Sequence, residues 1–360
     1  MPTQPSPSPH RVVTLAAIAA RVKMSRSGVS RALRNDPTIP LASCRRVQAA
    51  ARKLGFVNDR QLSRAFQLVR LSSHARVLGT IGFVDAYPVS MQWRNMSNLY
   101  ITHLYEGARE RAEELGYRLE VFSLMEPGMS ARRLQGILDA RGVGGLLIPT
   151  LPPEVHELPI DWDRFACVAL THTLQRPALH RVVPHQFQVM MLAIEHLHQA
   201  GYRRLGFMTT DELDVRVNHH FRAAYFSYQF NLPPADRLPI LMVHGYEQFE
   251  AVFDAWLEEH NPDAIIGCDP SIVELMEQRG LTDFNRLGFV SVGASLQRPK
   301  NPLHSKVAHV VQNSSHVGRA GVDQLVAQLD RRERGIPKIA NVVMIEGTWV
   351  SGITVRPSTG

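Results

Sequence analysis

Residues 14–35 read TLAAIAARVKMSRSGVSRALRN, and their pattern is that of two short helices joined by a tight turn. Leu15, Ile18, Ala19 and Val22 fall at i, i+3, i+4 and i+7, one apolar helical stripe. Ser25 restarts the helical pattern as an N-cap, because its hydroxyl can accept from an unpaired N–H of the next turn. In the second helix Val29, Ala32 and Leu33 form the inward side. Arg26, Ser27, Ser30, Arg31 and Arg34 lie on the other. A short helix with one apolar face and one basic, hydrogen-bonding face suits insertion into the major groove of DNA.

The charge distribution points the same way. Between residues 1 and 76 there are fourteen Arg and Lys residues against Asp36 and Asp59, a net +12. The whole chain carries +7, so the remainder is mildly acidic. A basic head on an acidic body is expected when one domain meets phosphates and the other does not. A solvated basic surface would show the same count; the coincidence with the helix pattern favours DNA.

At 360 residues the chain is long enough for two or three domains with full cores. The opening MPTQPSPSPH (residues 1–11 with Arg11) reads as a disordered polar tail and lacks the apolar centre of a secretory signal. No apolar run reaches the length of a membrane span, so a cytoplasmic location is expected. Cys44, Cys167 and Cys268 are widely spaced and odd in number, which fits reduced buried thiols and not a disulfide frame or metal cluster.

Val47, Ala50, Ala51 and Leu54 form a third helical stripe, with Pro40 near its start and Gly55 past its end. A three-helix domain is therefore expected over 12–57, with Phe56 closing its core. Residues 58–75 are basic and weakly amphipathic, with Leu62, Phe66 and Leu71 as the main apolar groups. They read as a hinge or linker that folds on DNA.

These residues resemble the lactose-repressor/galactose-repressor family of bacterial transcriptional regulators. Thr14, Leu15, Ile18, Ala19, Ser25, Val29, Ser30, Arg31, Leu33 and Gly55 all sit where that family's pattern places them, and the likeness extends over the chain after the tail. The resemblance implies that the second helix reads the major groove through Arg26, Ser27 and Arg31, with Thr14, Ser25, Ser30 and Arg34 beside them. It also implies a hinge whose apolar wedge kinks the operator. This chain has Lys23 where the family's turn has a glycine. The family's hinge leucine falls on Ala65, which leaves Leu62 or Phe66 as the wedge.

The body alternates strands and helices. VLGTIGFV (77–84), Leu119–Phe122, VGGLLI (143–148), Cys167–Leu170, Arg204–Met208, Ala264–Gly267 and Phe289–Val292 read as strands. Leu104–Gly116, Ser130–Arg141, Gln188–Ala200, Ala251–His260 and Ile272–Arg279 read as helices. Such alternation implies parallel sheets covered on both faces. Residues 76–360 exceed one comfortable core, so two α/β lobes with a cleft are expected. The resemblance adds a periplasmic-binding-protein-like core whose lobes are joined by chain crossovers near 185, 312 and 334–340. The last strand-like run is Ile353–Val355, with no heptad tail after it, and a homodimer is expected.

Ligands of open α/β sheets bind beyond the carboxyl ends of strands. Asp85 and Tyr87 follow the first strand, and Asp269 follows the strand ending at Gly267-Cys268. Helix capping is the competing role for both aspartates. Asn98 and Tyr100 resemble the family's Asn-Phe-Phe stretch. The family's sugar-contacting arginine falls on Asn218, with Arg216 two residues away. Its aspartate at the first crossover is replaced by His185, and its later Gly-Asp-Asp-like segment reads Gly293-Ala294-Ser295. The resemblance thus implies a small polar effector, sugar-like in class, held by Asp85, Tyr87, Asn98, Tyr100, His185, Arg216, Asn218 and Asp269. His172, His185, His219 and His220 could together recognise an anion or metal, although scattered surface histidines are the simpler account.

No catalytic constellation is present. RGVGG (141–145) enters a strand and opens no helix, so it is not a phosphate loop. Glu195-His196-Leu197-His198 lacks a second ligand set for zinc. There is no nucleophile elbow or Ser-x-x-Lys pair. No metal and no cofactor is expected. An enzyme on an α/β scaffold is disfavoured by these gaps, and a solute-binding protein without regulation is disfavoured by the basic head. The expectation is a dimeric repressor on a pseudo-palindromic operator, controlled by an effector between the lobes and making no membrane contact.

Overall fold

A computed structural model of the chain describes residues 15–33, 36, 39–53, 77–88, 99–245, 248–269, 272–293 and 303–357. The chain divides into two compact units, Met1–Ala75 and Arg76–Gly360.

The first unit contains α1 (Leu15–Val22), α2 (Arg26–Leu33) and α3 (Leu41–Lys53). Ile18, Ala19, Val22, Val29, Ala32, Cys44, Val47 and Ala51 are buried together as its core. The Ser25 hydroxyl accepts the Gly28 N–H at 3.1 Å, the N-cap that starts α2. Lys23, in the turn between α1 and α2, has φ +52°. The turn therefore keeps the left-handed backbone that a glycine would adopt at lower cost.

The second unit holds two six-stranded sheets. In the first lobe, β1 (Gly79–Asp85), β2 (Tyr117–Ser123), β3 (Val143–Ile148), β4 (Ala166–Ala169), β5 (His180–Pro184) and β11 (Val342–Ile345) lie in the order β11-β5-β4-β3-β1-β2. All of these pairs are parallel. In the second lobe, β6 (Leu205–Thr210), β7 (Leu241–Val243), β8 (Ala264–Gly267), β9 (Gly288–Ser291), β10 (Ala308–Val311) and β12 (Thr348–Val350) lie in the order β12-β10-β9-β8-β6-β7. Only β12 runs antiparallel to its neighbour.

Strand side chains alternate between two apolar layers in each lobe. Ile81, Phe83 and Leu147 enter one layer, while Val84, Leu146 and Ile148 enter the other. In the second lobe Ala264 and Ile266 face one side and Ile265 the other. This period-2 burial on both faces is why the strands read as continuous apolar runs. The covering helices are α4 (Leu99–Glu114), α5 (Ala131–Ala140), α6 (Gln186–Gln199), α7 (Asp211–Arg216), α8 (His220–Phe230), α9 (Phe249–His260), α10 (Ile272–Gln278) and α11 (Ser314–Arg331).

Helices α4 and α11 approach closely in the first lobe. A Cβ placed on Gly318 would lie 2.0 Å from the Leu104 carbonyl oxygen, and one on Gly107 would lie 2.1 Å from that of Ser315. The absence of a side chain at both positions permits the backbones to touch.

The chain passes between the lobes three times. It leaves β5 for the second lobe at His185, and returns from β10 through Gln312 and Asn313 into α11. The third passage is at Glu346–Gly347, between β11 and β12, and not at 334–340 as the sequence reading places it. Residues 334–340 stay in the first lobe: the Gly335 N–H donates to the Phe165 carbonyl, and β11 then pairs with β5. The strand expected at Ile353–Val355 is also absent. There, Thr354 is fully buried and its hydroxyl bridges the Phe289 carbonyl and the Ala308 N–H.

Candidate functional site

On the three-helix unit, the described surface is basic. Arg21, Lys23, Arg31, Arg45, Arg46 and Lys53 are exposed. Asp36 is the only acidic residue described in this unit. Arg31 sits on the outer side of α2, opposite the buried Val29 and Ala32. Ser25 is exposed at the same helix's start and already carries the cap described above. Arg26, Ser27 and Ser30 belong to the backbone of α2, while their side chains are outside the description. Thr14, Arg34, Leu62, Phe66 and Asn98, with the 58–75 hinge, lie outside the described residues.

In the second unit the carboxyl ends of the strands meet at the boundary between lobes. Asp85 ends β1 and is buried, with its Oδ1 accepting the Tyr87 N–H at 3.0 Å. Its local role is thus to turn the chain out of the strand and present Tyr87. The Tyr87 hydroxyl donates to the Leu151 carbonyl at 3.4 Å. From the opposite lobe Arg216, at the end of α7, donates through Nη2 to the same carbonyl at 3.0 Å. Burial raises the Tyr87 pKa, with Arg216 opposing that shift. Tyr100 is drawn into the first lobe's core, where burial raises its pKa.

Asn218 and His219 take left-handed backbone angles, φ +53° and +61°, in the kink between α7 and α8. Asp214 holds this kink. It is buried, and its Oδ2 lies 2.7 Å from His219 Nδ1 and 3.2 Å from Arg222 Nη2. The kink aims His220 across the boundary, where its ring meets that of His172 edge-on at 4.9 Å between centroids. His185, at the first passage, interacts electrostatically with His220. Asp269 is half-buried after β8, at the approach to α10.

The structure therefore brings Tyr87 and Arg216 together on one carbonyl, and Asn218 beside His220 at 3.4 Å. Asp214 and the Leu151 carbonyl were not singled out in the sequence. A buried aspartate inside a helix that precedes a histidine pair carries no motif of its own. A cavity of about 10 Å³ remains between the lobes, lined by residues that include Pro152, His172, Thr173, Val215 and Arg216. Among the described residues, no group of three or more His, Cys, Asp or Glu side chains could hold a metal. No described helix is long and apolar enough to cross a membrane.

The transcriptional regulator CelR, solved with cellobiose, matches 95% of this chain and 99% of its own at TM-score 0.56 and 16% identity. The lac repressor dimer bound to operator and the anti-inducer ONPF matches 96% and 100% at TM-score 0.53 and 16% identity. The chain has the fold of the LacI-type repressors. In sequence, it is 26% identical over 205 residues to an HTH-type transcriptional regulator of Mycobacterium tuberculosis, covering 57% of this chain. That match spans about half of the relative's length, 54%. No family model matches the chain. Asp85 and Tyr87 lie at the carboxyl end of β1, Arg216 at the end of α7 and Asp269 just after β8.

Proposed function

We propose that this chain is a sequence-specific DNA-binding transcriptional regulator, acting as a repressor and controlled by a small polar effector between the lobes of its core. One observation carries this reading. The same chain joins a basic three-helix unit, with Arg31 exposed on a capped α2, to a two-lobed α/β core. That combination is matched along almost the whole length of the lac repressor dimer solved on its operator. CelR was solved with cellobiose, which supports a sugar-sized effector for this chain too.

In this reading α2 enters the major groove, with Arg31 reading a base edge and Ser25, Arg26, Ser27, Ser30 and Arg34 around it. The chain works as a cytoplasmic homodimer on a pseudo-palindromic site, because two-fold protein symmetry imposes two-fold site symmetry. Effector closes or opens the lobes, and lobe geometry sets the spacing of the two heads. The cleft contributes Asp85, Tyr87, Arg216 or Asn218, and Asp269. No cofactor, metal or catalytic step is assigned. Nuclease protection on DNA upstream of the chain's own gene tests the reading. A protected, dyad-symmetric footprint of about two half-sites supports it. Absence of any footprint at low salt, with the protein folded, overturns it.

A further inference from the structure

The boundary between the lobes carries an anomaly. His172 follows β4 in the first lobe and His220 opens α8 in the second, and their rings touch edge-on. His172 Nε2 and His220 Nδ1 are both buried without a hydrogen-bond partner. Unpaired buried polar atoms cost on the order of 1–3 kcal/mol each and concentrate where a ligand completes the bonding. Two such atoms occur here on the faces that must separate for a ligand to enter. The remaining cavity is about 10 Å³, the space of roughly one water.

The charges around the pair are mostly positive. Arg181 on β5 donates to the carbonyls of Thr171 and Leu174 on either side of His172. His185 immediately precedes α6, Arg216 ends α7, His219 lies in the kink before α8 and Arg222 is on α8. Of the acidic groups, Asp214 is engaged by His219 and Arg222 through Oδ2, while its Oδ1 is buried without a hydrogen-bond partner. Glu212 lies 3.9 Å from Arg216 Nε, and Asp85 turns its Oδ1 to the Tyr87 N–H. Burial, then the neighbouring His220 and Arg181, pushes His172 down to about 4. Burial, His185 and His219 lower His220 as well. At neutral pH both rings are therefore uncharged, in a site whose surroundings favour a negative charge.

We infer that the effector of this cleft bears an oxyanion, a carboxylate or a phosphate on a sugar-sized body, which inserts between His172 and His220 beside Arg216. This rests on the reading of the cleft as the effector site. An oxyanion accepts from both orphaned nitrogens, each of which carries the hydrogen in one neutral tautomer of its ring; in that tautomer His220 also presents Nε2 to the Asn218 amide.

The test uses the full chain and calorimetric titration with three probes on each of two scaffolds: glucose, glucuronate and glucose 6-phosphate, then the galactose counterparts. At least one anionic probe binds while its neutral parent does not, and the arm that binds identifies carboxylate or phosphate. His172→Gln, and separately His220→Asn, lower the affinity by at least tenfold, while retained DNA footprinting shows that the variants are folded. A neutral parent binding as tightly as its acid and phosphate, or no binding by any probe, overturns the inference. If a neutral sugar alone releases footprinted DNA, the regulator reading stands and the oxyanion does not. If no DNA is footprinted, the reading itself fails.

Discussion

Gly318→Ala should destabilise the core through one added methyl. Alanine in an open helix gains roughly 1 kcal/mol over glycine, so the sign depends on what the methyl meets. Here it meets the Leu104 carbonyl oxygen at 2.0 Å and the Ala108 nitrogen at 2.8 Å. Carbon–oxygen contacts settle near about 3.3 Å, so the helices must part by roughly 1.3 Å. The obstructing atoms are backbone within α4, so no rotamer change relieves the contact. Overpacking of this kind costs about 3 kcal/mol, the upper part of the usual range. Subtracting the propensity gain leaves a net loss of about 2 kcal/mol. At roughly 2 °C per kcal/mol for a unit of this size, the melting temperature should fall by about 4 °C. Gly136→Ala is the matched control, since Gly136 lies in α5 with nothing within 4 Å of the added carbon. It should stabilise by about 1 kcal/mol. Scanning calorimetry of the two variants beside the parent reads both signs in one experiment. A Gly318→Ala protein melting at or above the parent would refute a backbone-limited contact between α4 and α11.

Three further outcomes concern the head. Lys23→Gly should raise its stability by about 0.5 kcal/mol, because relief of the left-handed backbone outweighs the added chain entropy; a lower urea midpoint would contradict this. Ser25→Ala should lower stability by about 1 kcal/mol through loss of the α2 cap, read from helical circular dichroism on urea titration, and an unchanged midpoint would leave Ser25 to DNA alone. Arg31→Ala should weaken operator binding by about 1–3 kcal/mol while binding to random DNA falls less; equal losses in a gel-shift series would make Arg31 a phosphate contact.

The elements that read clearly from sequence are those whose local pattern and tertiary role agree. Strands such as VLGTIGFV and VGGLLI are buried on both faces and so are apolar throughout. Helix α11 passed unread because Gly318 and Gly321 depress its helical propensity. They are there so that Leu104 and Leu170 can come close, a need created by residues far away in sequence. The run RRERGIPK (331–338) looks like a linker because it is polar and carries Gly335 and Pro337, yet it folds back onto Phe165 in the first lobe. At the cleft, Asp85 and Asp269 could be located from strand ends alone. The contact of His172 with His220 could not, since 48 positions separate them and only the meeting of two lobes unites them.

The three passages between the lobes make each lobe a patchwork of distant chain segments, and this has a temporal consequence. As the chain leaves the ribosome, β1 to β5 emerge early but lack the cover of α11 and the edge strand β11, which come only at 314–345. The second lobe waits longer still, for β12 and for Thr354, which ties Phe289 to Ala308. Neither lobe can finish before the other is nearly made. Apolar surface such as Ile81, Phe83 and Leu147, destined to meet Val317, Val322 and Leu325, stays uncovered through most of synthesis. The described core of the three-helix unit lies within residues 18–51, so it needs no such wait and can form while the lobes are still assembling.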